Sequence, residues 1–560
     1  MASHTPQISP RDTNTTIPAP IVFPPSQKFE GNDGPWSTFS LRLGTPQQDV
    51  NVMVSTASYQ TWAVVPQGCT SNDPSNCADL RGGEFKYNDS TTWVQNNVTE
   101  NGTFTLGLEI NLGYGEDANG LYGYDTVALS WLGSGGKQLL VESMPAKVVN
   151  IAHTGPSLPQ QIVAGIATPN FYFGLFGLNP RPTNFTNYQH PVSSFISNLK
   201  EENMIPSLSW SYTAGNQYRL DKVLGSLTLG GYDSARFVPN EVIFDFDAQD
   251  IRDLSVDISS IIYMESSKNT TLMSTPISAY LDSTIPWIYL PLSACQKFES
   301  AFGLEFDNTT QSYLVNDTLH EKLQADNASV TFTLRNPARQ SGVVDITLPY
   351  AAFDLVAEYP LTPNGSLRYF PLARATNDTQ YTLGRTFFQE AYVSADYERR
   401  TFTVSQCDWS PNSQSQTIVP ISSLTSPTTT SSTPSSPNPS HKPSPGTIAG
   451  GVIGGLAGLA LLSTGLYFLY TKLLRPNHQK GKKAAELDND GEQRPELEDG
   501  KDGAAHEIDS KGYYGAEVEG EGKRHGHELE GGQGRGHELE GGAGAMAEMP
   551  AREAPAAELP

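Results

Sequence analysis

Two stretches of this 560-residue chain follow the same pattern and carry the side chains best suited to chemistry. Val54 to Val64 reads V-S-T-A-S-Y-Q-T-W-A-V, and Ala279 to Pro291 reads A-Y-L-D-S-T-I-P-W-I-Y-L-P. Each is an apolar strand that enters a turn of small residues and leaves as another apolar strand. The chemistry therefore depends on Ser55 in the first turn and Asp282 in the second. A hydroxyl can hold a water molecule by hydrogen bonds, but it cannot act as a base near neutral or acid pH.

A nucleophilic role for Ser55 would need a base such as histidine or lysine within hydrogen-bond reach. None of the histidines ahead of the apolar segment 447–470 lies near either turn in sequence: His4, His153, His190, His320 and His441. We therefore do not expect a serine hydrolase. No cluster of cysteines and histidines has the spacing of metal ligands, so we expect neither a metal nor another cofactor.

A further motif lies ten residues ahead of the first turn. Gly44-Thr45-Pro46-Gln47 is a turn sequence followed by the alternating strand Asp49 to Val54. With these residues the chain resembles the pepsin-like aspartic proteases, in particular their fungal cell-surface branch. That family reads G-T-P-x-Q, then D-T-G-S, then a second D-T-G-[ST] about half a chain later. The resemblance covers Trp36 to Trp409 and implies an all-β fold of two lobes, related by a pseudo-twofold axis, with a peptide cleft between them.

Four later blocks also resemble the family, in order and spacing. They are Gly225 to Asp233, Leu348 to Leu355, Leu383 to Phe388 and Val393 to Val404. We expect a first lobe over 36–235 and a second over 236–409. Short alternating runs broken by Gly, Asn and Pro are typical of strands. Apolar spacing predicts two short helices, within Pro191 to Glu202 and Ala294 to Phe302.

The chain departs from the family where catalysis should occur. The family's two aspartates share one proton, because like charges at that distance cannot both ionise, and together they hold and activate a water molecule. Here Ser55 replaces the first aspartate, and only Asp282 remains. Ala57 and Thr284 replace the glycines that let the turns approach without a Cβ clash. Loss of one acid–base group costs about 10²–10⁴ in rate, so we predict an inactive protease.

The resemblance implies a peptide-binding role for the cleft even without catalysis. Tyr114 and Gly115 match the hairpin flap that closes over substrate, and Trp62 matches the tryptophan that hydrogen-bonds the flap tyrosine. The alternative is that Trp62 and Tyr114 are ordinary core or turn aromatics. Two other functions stay open: an active aspartic endopeptidase with an altered site, and a structural tether between cell wall and membrane.

Composition and cysteines limit the partners and the compartment. A net charge of −24 argues against nucleic acids and anionic membrane surfaces as partners. The four cysteines allow three pairings. We expect Cys69 with Cys77, closing a small loop, and Cys295 with Cys407, tying the start of the second lobe to its end. The alternative is free buried thiols.

Glycosylation signals also indicate an oxidising, extracellular setting. Eleven N-x-[ST] sequons all precede the apolar segment: Asn14, Asn88, Asn97, Asn101, Asn184, Asn269, Asn308, Asn316, Asn327, Asn364 and Asn377. The polar start of the chain, 1–35, has neither the basic region nor the apolar region of a signal peptide. Either an upstream segment precedes this start or the chain is exported unconventionally, and we expect the former.

The C-terminal quarter of the chain predicts a membrane anchor. Residues 410–446 are rich in Ser, Thr and Pro and predict a stalk, and the uncharged segment 447–470 is long enough to span a bilayer core of about 30 Å. The basic residues after it, Lys472 to Lys483, predict that the tail 471–560 is cytoplasmic and the N-terminal part extracellular at the plasma membrane. The tail is acidic and low in apolar residues, which predicts disorder. Pairs such as Gly450 and Gly454 could pack helices into a dimer or be merely tolerated glycines.

Overall fold

The computed structural model describes residues 17–98, 100–106, 119–131, 154–185, 190–249, 251–266, 268–339, 342–362, 365–410 and 415–424. These residues belong to one compact unit, Met1–Thr433. The predicted stalk beyond 424, the membrane segment and the tail lie outside the described residues, and so do Tyr114 and Gly115 of the predicted flap. The described part is mostly strand with a few short helices, which confirms the all-β prediction.

The first half of the described chain forms strands with two short helices. The strands are β1 Ile21–Phe23, β2 Pro25–Glu30, β3 Trp36–Leu43, β4 Gln48–Ser55, β5 Thr61–Val64, β6 Val94–Gln95, β7 Thr103–Thr105, β8 Asn119–Ser130, β9 Thr154–Ile166, β10 Gly174–Gly177, β11 Ser209–Asn216, β12 Val223–Leu229, β13 Gly231–Asp233 and β14 Phe244–Asp245. The helices are α1 Cys77–Leu80 and α2 Phe195–Glu201.

The second half repeats this composition with three helices. The strands are β15 Ser255–Glu265, β16 Lys268–Met273, β17 Ile277–Leu281, β18 Ile288–Leu290, β19 Glu305–Asp307, β20 Ser312–Leu314, β21 Ser329–Arg335, β22 Val344–Pro349, β23 Leu355–Ala357, β24 Leu367–Phe370, β25 Leu372–Arg374, β26 Thr382–Leu383, β27 Ala391–Asp396, β28 Thr401–Gln406 and β29 Ile418–Pro420. The helices are α3 Leu292–Phe302, α4 Asp317–Asp326 and α5 Arg385–Phe388.

Three large sheets build the two lobes and join them. The first lobe is a nine-stranded sheet in the order β2-β3-β4-β10-β5-β9-β8-β6, with β7 on β8. The second lobe has an eight-stranded sheet, β22-β21-β15-β17-β26-β18-β25 with β16 on β15, and a four-stranded sheet, β19-β20-β24-β23. A six-stranded sheet, β1-β12-β11-β27-β28-β14, takes four strands from the first half of the chain and two from the second. This continuous sheet therefore joins the two halves of the chain.

The ordered fold extends beyond the limits expected for the two lobes. In the polar start, β1 pairs with β12 and β2 pairs with β3, and Phe23 is fully buried. In the expected stalk, β29 pairs with β13. Both extensions were missed because they are short and rich in proline, a residue that is tolerated at sheet edges.

The helices differ from the sequence-based expectations in length and number. The first begins at Phe195 rather than near Pro191, because Ser194 caps it by accepting a hydrogen bond from Ser197 N. Helix α3 contains the second predicted helix. Helix α4 was missed because its sequence, DTLHEKLQAD, is mostly polar and only Leu323 is buried. Asn316 caps its start, and Asn327 ends it in the left-handed conformation.

Candidate functional site

The first turn is held at the edge of a three-strand unit. Strand β4 delivers Ser55 beside β10, which runs parallel to β4 and antiparallel to β5. The backbone N–H of Leu178 donates to the carbonyl of Ser55 at 2.9 Å. Gly177 is required here, since a Cβ would lie 2.4 Å from the carbonyl oxygen of Ser58. The side chain of Ser55 is fully buried.

The second turn repeats this arrangement. Strand β17 delivers Asp282 beside β26, which runs parallel to β17 and antiparallel to β18. Gly384 takes the place of the first lobe's glycine, because a Cβ there would lie 2.2 Å from the carbonyl oxygen of Trp287. Asp282 is fully buried, and its Oδ1 accepts the N–H of Thr284 at 2.9 Å. The implied pseudo-twofold relation is therefore visible in strand pairing.

Four crossed hydrogen bonds join the two turns through the residues that follow Ser55 and Asp282. Thr56 N donates to Ser283 Oγ at 3.1 Å, and Ser283 N donates to Thr56 Oγ1 at 3.0 Å. The hydroxyls then donate onward, Thr56 Oγ1 to the carbonyl of Leu281 at 3.0 Å and Ser283 Oγ to that of Val54 at 2.7 Å. Both residues are fully buried. These crossed bonds fix the spacing between the turns.

Ala57 and Thr284, which stand in place of the family's glycines, do not keep the two turns apart. The crossed bonds form with both residues in place, and neither residue has a positive φ that would favour glycine. Thr284 adds a contact, because its Oγ1 lies 2.6 Å from Ser55 Oγ. Ser55 Oγ also accepts the N–H of Ser58 at 2.7 Å. The substitution of the aspartate is therefore absorbed by local hydrogen bonds.

The chemistry available at this centre is that of one carboxylate and two hydroxyls. A hydroxyl cannot supply the second ionisable group needed to activate a water molecule by sharing a proton. Among the described histidines, His320 lies on α4 and faces Asp354 at 3.1 Å rather than Ser55. These groups retain only the capacity to donate and accept hydrogen bonds.

A buried arginine behind the second turn was not anticipated. Arg385 donates to Asp33 Oδ2 at 2.8 Å and to the carbonyls of Ser283 and Thr284 at 3.4 and 3.3 Å. Its guanidinium lies over the Trp36 ring, 4.7 Å from the centroid. The sequence offered a signal in the L-G-R-T-F-F block, where a charged residue interrupts an apolar run, but nothing identified its partner 352 residues away.

Trp62, the predicted partner of the flap tyrosine, lies in the core of the first lobe. Its indole N–H donates to Gln60 Oε1 at 3.0 Å, an oxygen that also accepts the hydroxyl of Tyr122 at 2.9 Å. The ring packs edge-on against Phe171, 4.9 Å away. Tyr114 and Gly115 lie outside the described residues, so the flap remains a prediction.

One of the two predicted disulfides is present. Cys69 and Cys77 form a disulfide. The predicted bond between Cys295 and Cys407 is wrong, because both are free buried thiols in different parts of the fold. Cys295 on α3 faces the carbonyls of Leu290 and Ala373 at 3.6 Å, whereas Cys407, directly after β28, lies 3.3 Å from Thr213 Oγ1 on β11. Burial raises the pKa of both thiols, that of Cys295 to about 12.

The sequon asparagines that the structure describes are all at least partly accessible. Asn184 is half-buried, and the others are exposed: Asn88, Asn97, Asn101, Asn269, Asn308, Asn316, Asn327 and Asn377. Asn14 and Asn364 lie outside the described residues. Attachment of a glycan at the exposed positions would not require the core to open.

Two other kinds of site, a metal centre and a membrane-spanning helix, have no candidate in the described part of the chain. No group of three or more His, Cys, Asp or Glu side chains there could hold a metal ion. No helix in residues 17–424, gaps excepted, is long and apolar enough to cross a membrane. The apolar segment 447–470 and its glycine pairs lie outside that range.

Comparison with known proteins agrees with the geometry of the two turns. A sequence model of the eukaryotic aspartyl protease family matches residues 38–407. No curated protein matches the chain. The family match covers well over half of the sequence and includes both turns and the crossed bonds. Of the strands in the three large sheets, β1, β2 and the start of β3 precede it. The chain belongs to the eukaryotic aspartyl protease family.

Proposed function

We propose that this protein binds peptides or protein segments in the cleft between its lobes without cleaving them, and that it does so while anchored in a membrane. The observation that carries the proposal is the 2.6 Å contact between Ser55 Oγ and Thr284 Oγ1. It places a hydroxyl pair where peptide hydrolysis by this family needs a carboxylate. A residual reaction would have to proceed with Asp282 as its one carboxyl group.

The parts of the centre that are preserved favour a binding role over a complete loss of function. The crossed bonds of Thr56 and Ser283 hold the turns at a fixed spacing. Beside them, a cavity of about 90 Å³ is lined by side chains of both lobes, including Met53, Leu175 and Trp287. This volume is below the range of about 300–1,000 Å³ of typical small-molecule pockets, so the main support for a binding role is the fixed spacing of the turns.

The sequence supports the proposed membrane anchor, and a disulfide and exposed sequons support an extracellular location of the fold. Segment 447–470 is uncharged and is followed by basic residues, which favours a single crossing with the protease-like part outside. The Cys69–Cys77 disulfide and the exposed sequons suit an oxidising extracellular compartment.

A second candidate, an active endopeptidase at the cell surface, is favoured by one observation. The turn of Asp282 keeps its carboxylate, and Oδ1 is oriented by the N–H of Thr284 at 2.9 Å. One of the family's two catalytic carboxylates is therefore in place, and proteolytic activity must be tested directly.

The test is cleavage of a random peptide library by the purified full-length protein between pH 3 and 7, read by mass spectrometry. An Asp282→Asn preparation is the matched blank, since the amide keeps an oxygen to accept the Thr284 N–H. We expect the same background from both proteins and retention of library peptides by the immobilised protein. Acid-dependent cleavage that disappears in the blank would establish the endopeptidase instead, and retention of no peptide would leave the fold as a tether.

A further inference from the structure

A short disulfide loop in the first lobe depends on its covalent bond for its shape. Cys69 and Cys77 enclose residues 70–76, and Cys77 is the first residue of α1. Within the loop Asp73 is half-buried and every other residue is exposed. A loop without buried side chains has little to offset the entropy cost of holding one conformation. Closure of its ends by the disulfide therefore has a large share in keeping it in place.

One side chain of this loop reaches the second lobe. The hydroxyl of Tyr359 donates to Asp73 Oδ1 at 2.8 Å. The other carboxylate oxygen of Asp73 accepts both the N–H and the hydroxyl of Thr70, at 2.7 and 2.8 Å. Tyr359 begins the turn 359–361, and Leu361 of that turn lines the cavity between the lobes. The disulfide loop therefore holds the turn 359–361, the second-lobe wall of the cavity.

A buried arginine directly after α1 holds the opposite wall. Residues 169–173 line the cavity from the first lobe and form its first-lobe wall. Arg81 is buried behind them. Its Nη2 donates to the carbonyls of Thr168 and Phe171 at 3.1 and 2.8 Å, and its Nε donates to that of Tyr172 at 2.9 Å. The guanidinium is a rigid fork, so these bonds fix the backbone of the first-lobe wall.

The same arginine is bonded to the base of the disulfide loop. Arg81 Nη1 donates at 2.6 Å to the carbonyl of Gly68, the residue before Cys69. A Cβ at position 68 would lie 2.8 Å from this nitrogen, so the bond needs a glycine here. Cys77 lies at the other end of α1 from Arg81. The disulfide thus joins the two chain segments that Arg81 bridges, and both walls depend on one covalent bond.

This bond is where a thiol reductant would act on the chain. The chain has four cysteines, and Cys295 and Cys407 are buried free thiols. Cys77 is buried, but Cys69 is half-buried and can be approached from solvent. Accessible disulfides are reduced more readily than fully buried ones.

We infer that the Cys69–Cys77 disulfide is a redox-controlled brace of the cleft, whose reduction by a dithiol releases both walls and lowers the affinity for peptides. The inference rests on the proposed peptide binding and adds how that binding is regulated. Walls that are fixed before binding reduce the ordering cost of forming a complex. Their release therefore weakens binding.

The reduction is an ordinary exchange between thiols and a disulfide. One thiolate of the dithiol attacks Cys69 Sγ, the bond between the two cysteines breaks, and Cys77 leaves as a thiolate that takes up a proton. The second thiol of the reductant then attacks the reductant sulfur bound to Cys69. Cys69 is released as a thiol, and the dithiol becomes a cyclic disulfide. Two electrons and two protons have passed from the dithiol to the protein.

The experiment equilibrates the full-length protein at pH 7 with mixtures of reduced and oxidised dithiothreitol. Alkylation and mass spectrometry give the reduced fraction of Cys69, hydrogen exchange gives the opening of the two walls, and the immobilised protein is tested for retention of random decapeptides. We expect reduction to speed exchange in 168–173 and 358–362 at least about ten-fold. Retention should fall at least about five-fold as the walls lose their fixed positions. The three curves should share one midpoint potential.

Three variants separate the brace from a general effect of the reductant. Cys69→Ser with Cys77→Ser should exchange fast at both walls and ignore the dithiol. Tyr359→Phe removes the bridge alone, so it should speed exchange in 358–362 and leave 168–173 unchanged. The matched control is Tyr263→Phe, since the Tyr263 hydroxyl donates to Glu265 within the second lobe at 3.1 Å. It should change neither wall.

The outcomes distinguish this inference from the proposed function. Unchanged exchange at both walls after full reduction would overturn the brace and leave peptide binding intact. Faster exchange in β21 and β22 as well would mean a general loss of stability, which also overturns it. Equal retention in both redox states would overturn the control of binding. If the oxidised protein retains no decapeptide while reduction still releases the walls, the proposed function fails and the brace stands.

Discussion

Ser55 and Asp282 occupy equivalent positions at the ends of β4 and β17, yet only Asp282 carries a carboxylate. Each follows a strand that runs parallel to a short partner, and each accepts a backbone N–H from its own turn, that of Ser58 at 2.7 Å and that of Thr284 at 2.9 Å. The next residues, Thr56 and Ser283, exchange the crossed bonds. The chemical difference between the turns is therefore the carboxylate, which only Asp282 could offer to a substrate.

This comparison separates two requirements that coincide in an active protease. Joining the lobes requires hydroxyls at positions 56 and 283, and both are present and fully buried. Activating a water molecule requires two carboxylates, and one is absent. A chain can lose the second property and keep the first, because different side chains supply them.

Restoring the missing carboxylate is the change with the largest expected effect. The triple variant Ser55→Asp, Ala57→Gly, Thr284→Gly supplies the acid and removes the hydroxyl that contacts residue 55. We expect peptide cleavage with an acid optimum, at least about 10²–10⁴ above the wild-type rate, since that is the usual contribution of one acid–base group. The measurement is library cleavage between pH 3 and 7. The same triple variant with Asp282→Asn is the control, and a folded triple variant that stays inactive would contradict the view that only the side chains of the turns have changed.

Removing a crossed bond should affect stability rather than chemistry. In Thr56→Val a methyl group replaces the hydroxyl, so the buried carbonyl of Leu281 and N–H of Ser283 lose their partners. At about 1–3 kcal/mol for each of these two unsatisfied groups, we expect the free energy of unfolding to fall by about 2–6 kcal/mol in urea titrations. Thr331→Val, which breaks a half-buried contact with the Thr347 hydroxyl at 2.9 Å, should cost less than about 1 kcal/mol. Equal losses would mean that the crossed bonds have no special role.

The hydrogen bond between Asn179 and Asp253 is another link between the lobes, and its contribution to stability should depend on pH. Asp253, just before β15, accepts a hydrogen bond from Asn179, just after β10, at 3.1 Å. Burial raises its pKa to about 6, despite the nearby cation of Arg181. A raised pKa stabilises the folded protein below about pH 4, and this contribution is lost as the pH rises through 6. At 1.36 kcal/mol per pKa unit it amounts to about 3 kcal/mol.

Asp253→Asn should therefore flatten the dependence of unfolding free energy on pH between 4 and 7. The control is Asp245→Asn, because hydrogen bonding by Arg339 lowers the pKa of that more exposed carboxyl. The Asp245 contribution has the opposite sign and is lost only as the pH falls through the acid range. A variant at position 253 that keeps the wild-type slope would show that Asp253 does not titrate there.

The sequence predicted the chemistry of the two turns better than the contacts between them. Ser55 and Asp282 were identifiable because each lies in a run of small residues between two apolar strands. Thr56 and Ser283 lie in the same runs, but their bonds connect residues 227 apart, and no local pattern reveals such a pairing. The same limit explains the wrong pairing of Cys295 with Cys407. Sequence order places these cysteines at the two ends of a lobe, whereas the sheets place them against different partners.

Single substitutions at positions 55, 284 and 282 should have the smallest effects on the free energy of unfolding. They test whether Ser55 and Asp282 have the same structural role. Ser55→Ala leaves the buried N–H of Ser58 without its acceptor, so we expect a loss of about 1–3 kcal/mol, whereas Thr284→Val breaks only the contact between hydroxyls and should cost about 1 kcal/mol. Asp282→Asn keeps an oxygen for the Thr284 N–H and should cost about 1 kcal/mol or less. If Asp282→Asn proves as costly as Ser55→Ala in urea titrations, the carboxylate is stabilised by more than its turn, and the two positions are not equivalent. If the predicted order holds, each side chain supports its own turn as an acceptor, and the negative charge of Asp282 contributes nothing that an amide cannot replace in the resting protein.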